Sequence, residues 1–279
     1  MQTNIRQRQA GGRHWRQSRI LNAWVDSLTV QEIVDELEQG ILFTLNPDHL
    51  YWLQRSADFA AAYRNATLVS SDSKYVFWGL GFLGRAIKQK SSGSDIVPAY
   101  WRRHAKNPAV RIFLLGAKPG IAQMARERIN RLAGREIVVG AHGPSFNFVN
   151  DEQETADAIA MVNASGATCL IVGLGAPKQE IWIDRNRSRM PGVKTYMVVG
   201  ATIDYEAEAV RRAPAWMTRN GLEWVYRMTT EPKRYWRRYT RTIEFFWLVL
   251  LDRFGLYRPR SFTSPVVDAP TRSAAINGS

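Results

Sequence analysis

Between Val25 and Tyr205 the chain switches repeatedly between short apolar runs and segments whose apolar residues recur every three to four positions. Runs of the first kind suit strands buried on both faces, and the second kind suits helices that cover them. The alternation therefore predicts an α/β, Rossmann-like fold with a largely parallel sheet flanked by helices. Strands are expected at 41–46, 66–71, 110–116, 136–141, 168–173 and 195–200. Thr29-Val30-Gln31-Glu32 reads as a capping box that opens a helix with Val30, Ile33, Val34 and Leu37 on one face and Gly40 closing it. Pro47, Pro119 and Pro177 are each expected in the first turn of a helix, where a missing N–H costs nothing.

The body so defined covers residues 21–210. From Arg212-Ala213-Pro214 onward the pattern is helical without further strands, which makes 211–260 a C-terminal appendage. There Trp224, Tyr226, Tyr235, Trp236, Tyr239, Phe245, Phe246 and Trp247 are interleaved with Arg227, Lys233, Arg234, Arg237, Arg238 and Arg241, and Pro232 marks a joint between two helices. Residues 1–20 and 261–279, the latter rich in Ser, Thr, Pro, Ala and Gly, are expected to be disordered tails.

The net charge of +13 is not spread evenly. Residues 1–20 carry five Arg and no acid, and 211–260 carry twelve Lys and Arg against Glu223, Glu231, Glu244 and Asp252, so these two segments supply all of it. A neutral body with basic ends points to a polyanionic partner: nucleic acid, an anionic lipid surface or a phosphorylated substrate. The single cysteine, Cys169, excludes an internal disulfide and a four-cysteine zinc site, and four histidines leave little for a mixed cluster. The arginines near the start are followed by no apolar stretch, unlike a secretory signal. The longest purely apolar run, 245–251, is far shorter than the ~20 residues that span a bilayer.

In an open parallel sheet, ligands gather where strand ends lead into helix N-termini. Four segments fall there: Thr44-Leu45-Asn46-Pro47, Ser70-Ser71-Asp72-Ser73, residues 115–120 around Gly116, and residues 173–180 around Gln179. Asn46 and Asp72 each have a plainer explanation as helix caps. Gly173-Leu174-Gly175 starts like a dinucleotide fingerprint, but Lys178 stands where the third glycine belongs and no acidic residue ends a strand some twenty positions later, which disfavours a dehydrogenase. Residues 116–120 lack the Gly-Lys-Ser/Thr ending of a P-loop. Both turns still let backbone amides approach a diphosphate. No Asp-x-Asp occurs in the chain, so a sugar-nucleotide enzyme built on it would neutralise the diphosphate with the appendage arginines instead of a metal clasp.

Taken in order, Asn46, Asp72, Ser92-Gly93-Ser94-Asp95, residues 113–120, Gly173-Leu174-Gly175-Ala176-Pro177-Lys178-Gln179-Glu180, Arg212-Ala213-Pro214, residues 222–227 and Glu231-Pro232 resemble the WecG/TagA/CpsF glycosyltransferase family over roughly residues 25–240. The resemblance implies a membrane-associated, inverting enzyme without a cofactor. Such an enzyme moves a sugar, often of the N-acetylmannosamine type, from a UDP-sugar donor to a polyprenyl-diphosphate-linked saccharide acceptor in surface-polysaccharide or wall-polymer synthesis. On the matching positions, Asp72 would be the general base, and Thr44 and Asn46 would place the acceptor or the base. Gln179 and Asp204 would lie in the nucleotide-sugar pocket, and Arg227, Arg234 and Arg237 would lie near the diphosphate.

Three positions depart from the family pattern. Ser71-Asp72-Ser73 replaces the usual Pro-Asp-Gly, Lys90 stands where an Arg is usual, and Pro144 follows His142-Gly143 where an aromatic is usual. Lys90 supplies charge but not the bidentate fork of Arg. The rival reading is a nucleic-acid-binding protein whose Arg/aromatic helices track a backbone and stack on bases. Phe245-Phe246-Trp247 beside Leu248, Val249 and Leu251 is greasier than such a groove and favours an anionic membrane surface. Homo-oligomerisation is left open.

Overall fold

A computed structural model describes residues 5–10, 13–210, 214, 217, 225, 226, 229 and 232–259; for residues 6, 8–10, 13 and 232–240 it describes the backbone alone. Six parallel strands form the central sheet: β4 (Gly40–Leu45), β5 (Leu68–Ser71), β6 (Ile112–Gly116), β7 (Val138–His142), β8 (Cys169–Gly173) and β9 (Thr195–Val198). Their spatial order is β5-β4-β9-β8-β6-β7, and each coincides with one of the runs expected from the sequence. Register is unbroken across β4, β9 and β8, with Gly40 opposite Thr195 and Cys169 opposite Thr195. Helices cover both faces and separate two apolar layers. One layer includes Leu42, Leu114, Ile171 and Met197; the other includes Phe43, Leu115, Leu170 and Val198. These neighbours alternate along each strand, as the pleat requires.

The connections after β6 and β8 leave in opposite directions, one outward to β7 and the other back to β9. The switch point of the sheet therefore falls between β6 and β8, where a crevice opens at the carboxyl edge.

Thr29 caps α1 (Val30–Glu36) in the expected box with Glu32. Gly40, however, does not close that helix. It opens β4 at φ +119°, where a Cβ would fall 2.2 Å from Thr67 Oγ1. Of the three prolines, only Pro47 sits in a first turn, that of α2 (Pro47–Leu53). Pro177 is the N-cap residue of α8 (Lys178–Asn186), and Pro119 precedes the left-handed Gly120 that caps α6 (Ile121–Ala133).

The N-terminal segment corrects the expectation of a disordered tail. Ile5–Ala10 (β1), Arg13–Ile20 (β2) and Ala23–Asp26 (β3) form an antiparallel sheet. Trp15, Gln17, Ser18 and Ile20 are buried. Asp26, itself buried, accepts from Trp15 Nε1 at 2.5 Å, Gln17 Nε2 at 2.7 Å and the Val69 N–H at 2.8 Å, tying this sheet to β5.

Pro232 opens the helix α10 (Pro232–Arg253). Its second half is docked on the body. Phe245 and Val249 are buried, and α4 (Lys74–Phe82) comes close because Gly79 lacks a Cβ, which would otherwise stand 3.2 Å from Phe245. Arg241 pairs with Asp48, Arg55 with Glu244 at 2.7 Å, and Arg85 with Asp252 at 2.6 Å. Residues 261–279 lie outside the described residues, as do Trp224 and Arg227 of the appendage. Among the described residues no helix is long and apolar enough to cross a membrane.

Candidate active site

The sequence-selected residues converge on the carboxyl edge of the sheet in two groups. The first surrounds the ends of β4 and β5. Asn46, buried just after β4, caps α2 by accepting from the N–H groups of Asp48 at 3.0 Å and His49 at 3.2 Å. Thr44 stands opposite Ser70 in the β4–β5 ladder and donates to the Val198 carbonyl at 3.3 Å. Asp72 follows β5 directly; its N–H donates to the Leu45 carbonyl at 2.9 Å and its side chain is half-buried.

Asp72 does not cap α4. That role belongs to Ser73, whose Oγ accepts from the Tyr75 N–H at 3.1 Å. Lys90 is brought to the same corner because the next residue, Ser91, donates its N–H to the Ser71 carbonyl at 2.9 Å. Its Nζ lies 3.6 Å from Asp95 Oδ2, and that oxygen also accepts from Ser92 Oγ.

The second group is built on the switch point. Gly116 ends β6 at φ +133°, and a Cβ there would fall 2.5 Å from the Gly173 carbonyl carbon at the end of β8. The Ala117 N–H donates to the Gly173 carbonyl, so the two turns are stitched together. Gln179 lies beneath them and is 1% exposed. Its Oε1 accepts from the Gly175 N–H at 3.1 Å and its Nε2 donates to Glu180 Oε1 at 2.7 Å. Its amide thus braces the turn that follows β8. Asp204 sits in α9 (Thr202–Glu206), which follows β9 between the two groups, and is half-buried. At the outer rim Phe146 is 95% exposed, with Lys178 Nζ 4.5 Å from its ring centre.

Arg227 lies outside the described residues. Arg234 and Arg237 fall on α10, in a stretch where the backbone alone is described. Among the described residues no three His, Cys, Asp or Glu side chains come together as a metal site.

Sequence reasoning missed the buried polar residues between the two groups. His49 Nδ1 lies 2.5 Å from the Tyr63 hydroxyl on α3 (Ala57–Arg64), and its Nε2 lies 3.6 Å from Glu180 Oε1. Burial, reinforced by the negative charges of Glu180 and Asp72, holds the Tyr63 hydroxyl well above the usual phenol range, so it keeps its proton. The available signal was the Glu that closes the Gly-Ala-Pro-Lys-Gln-Glu block, a charged residue on the buried side of a helix.

An exposed apolar surface adjoins the first group. Ile243, Trp247 and Leu250 of α10 and Phe254 just past its end, spaced four, three and four residues apart, are all exposed and fall at helical spacing. Phe246 beside them meets Tyr75 at 5.4 Å between ring centres, and Trp78 and Phe82 extend the surface along α4.

A parallel sheet with its site at the carboxyl edge, stitched glycine turns at the switch point and a carboxylate at the end of a neighbouring strand define a Rossmann-like enzyme of the group-transfer kind. The chain belongs to the glycosyl transferase WecG/TagA/CpsF family, whose model matches residues 18–259, and it is a glycosyltransferase. A curated relative, the N-acetylglucosaminyldiphosphoundecaprenol N-acetyl-beta-D-mannosaminyltransferase of Bacillus spizizenii, is 28% identical over 236 residues, 84% of this chain and 88% of the relative.

Proposed function

We propose that this protein is an inverting transferase that carries a sugar from a UDP-sugar to a polyprenyl-diphosphate-linked saccharide during synthesis of a surface or wall polymer. The relative acts, by its name, on a diphosphoundecaprenol-linked N-acetylglucosamine, and its likeness to this chain over 88% of its length supports an acceptor of the same class. The observation that carries the mechanism is the position of Asp72, a half-buried carboxylate at the end of β5 that the helix behind it does not use as a cap.

In this reading the Asp72 carboxylate takes the proton of the acceptor hydroxyl as its oxygen bonds to the anomeric carbon. The bond from that carbon to the β-phosphate oxygen breaks on the opposite face, and UDP departs with the electron pair. The turns at Gly116 and Gly173-Leu174-Gly175, which carry no bulky side chains at their glycines, let the diphosphate approach the backbone, with Arg227, Arg234 and Arg237 adding charge as the leaving group forms. Phe146 and Lys178 offer a stacking surface for the base. Lys90 serves the acceptor side as a point charge.

The same reading puts the protein on the inner face of the membrane, with no spanning helix among the described residues. The apolar stripe of α10, Trp78 and Phe82 would enter an anionic leaflet, and Lys74, Arg253 and Arg258 on and beside those helices would each add ~1 kcal/mol near its surface. The deciding experiment offers a panel of UDP-sugars and lipid-diphosphate saccharides to the full chain and weighs the products. A mass gain of one sugar with UDP release supports the proposal, and no transfer from any UDP-sugar would sink it. Turnover is expected to survive EDTA; complete loss restored by Mn²⁺ would contradict an arginine-based leaving-group site.

A further inference from the structure

The two halves of the site are joined by a buried polar chain that the mechanism above does not use. From the donor side it runs from the Gly175 N–H to Gln179, from Gln179 Nε2 to Glu180 Oε1, past His49 Nε2 at 3.6 Å, and from His49 Nδ1 to the Tyr63 hydroxyl at 2.5 Å. Gln179, Glu180 and His49 are 1%, 0% and 2% exposed. Phe59 packs edge-on against the His49 ring at 5.6 Å, and Phe43 and Phe59 each meet Tyr63 at 5.0 Å, so the His49–Tyr63 end of the chain is packed in aromatic carbon. Polar contacts in such surroundings are stronger than in water.

The geometry suits one tautomer, with hydrogen on the ring nitrogen that faces the Glu180 carboxyl and the nitrogen facing Tyr63 as acceptor. Tyr63, held as a phenol, donates to it. The carboxylate also takes the Gln179 N–H, which turns the amide oxygen toward the Gly175 N–H and sets the turn that follows β8. His49 belongs to the first turn of α2, whose start is fixed by Asn46 on the acceptor side.

We propose that His49 is a positioning residue for the transfer: gripping Tyr63 with one nitrogen and facing Glu180 with the other, it holds the Gln179 amide in the orientation that shapes the donor-side turn and locks that turn to the acceptor-side helix. This rests on the donor diphosphate occupying the glycine turns.

The test compares His49→Phe, which keeps a ring against Phe59 but no nitrogen, with His49→Gln, whose amide can give and accept at the two ends. Tyr63→Phe, which removes a single oxygen, covers the case in which His49→Phe does not fold. UDP affinity is measured by calorimetry on the full chain, and the His49 ring nitrogens are followed by NMR in the unsubstituted protein during UDP titration. Loss of the outer partner that orients a metal ligand typically costs 10- to 100-fold, and an effect of about that order is expected where His49 orients the turn. The expected result is a loss of about that size in UDP affinity for His49→Phe, partial recovery in His49→Gln, a smaller loss in Tyr63→Phe, and a shift of the His49 nitrogen signals at saturating UDP. Unchanged UDP affinity in a folded His49→Phe or Tyr63→Phe protein, or His49 signals that ignore UDP, would overturn the proposal while leaving the donor assignment intact. Failure of the unsubstituted protein to bind UDP would instead overturn the donor assignment and this proposal with it.

Discussion

Replacing Asp72 by Asn and, separately, Ser73 by Ala separates catalysis from helix capping at adjacent positions. The N-terminus of α4 is capped by Ser73 Oγ on the Tyr75 N–H, and the Asp72 N–H donates to the Leu45 carbonyl. Losing a serine cap costs ~1 kcal/mol, which for a chain of this size lowers Tm by about 2 °C. Ser73→Ala should therefore melt about 2 °C lower and turn over within about twofold of the unsubstituted enzyme. Asp72→Asn keeps shape and backbone contacts and leaves the cap alone, so its Tm should stay within about 1 °C, yet it has no carboxylate to take the proton. General-base help of roughly 10²–10⁴ corresponds to about 3–5 kcal/mol of barrier. Scanning calorimetry, UDP calorimetry and single-turnover transfer to a lipid-diphosphate acceptor give the three readouts, with UDP affinity expected to be unchanged. Turnover within tenfold of normal in a well-folded Asp72→Asn protein would refute the reasoning and send the search to Asp204 and Asp95. Equal losses in both variants would point to the loop's shape instead of its carboxylate.

Gly116→Ala combines a φ of +133° with a Cβ 2.5 Å from the Gly173 backbone, so it should melt several degrees lower, consistent with ~1–3 kcal/mol of strain, and bind UDP at least tenfold more weakly. Trp247→Glu combined with Phe254→Glu alters side chains that are 59% and 70% exposed. The double variant should melt normally and lose co-sedimentation with anionic vesicles, whereas unchanged vesicle binding, or tight single-strand DNA binding at physiological salt without any vesicle binding, would remove the lipid reading. Burial pushes the Cys169 thiol up to about 12, so at pH 8 the folded protein should be inert to a thiol-reactive dye and react fully once unfolded; rapid labelling of the native state would contradict its place in the sheet.

The central sheet was legible because each of its strands is a short apolar run flanked by helix signals, and the Thr29–Glu32 box and the Asn46 cap follow from spacing alone. The N-terminal hairpin was not. Its arginines mask a burial pattern carried by Trp15, Gln17 and Ile20, and they are accommodated because Arg19 donates to the Leu21 carbonyl and Arg16 to that of Ala86. The cap of α4 was misjudged by one residue, since Asp and Ser are equivalent cap types and only the backbone decides which stands at the helix start. His49, Tyr63 and Glu180 lie 14 and 117 positions apart in succession, and nothing local in any of them announces that they meet. Gln179 was found for its motif, but its inward-turned amide needed coordinates.

The docking of α10 alters what a C-terminal deletion would mean. Ile20 and Leu21 share one apolar cluster with Phe245, Val249 and Tyr257, which lie more than two hundred positions later in the chain. During synthesis that cluster stays incomplete until more than two hundred intervening residues have emerged. A chain cut before residue 211 would lack Phe245, Val249 and Tyr257 permanently, and is expected to expose their apolar partners and aggregate more readily than the full chain, which light scattering would check. Closure of this cluster therefore waits for α10: the body packs fully only after that helix has left the ribosome.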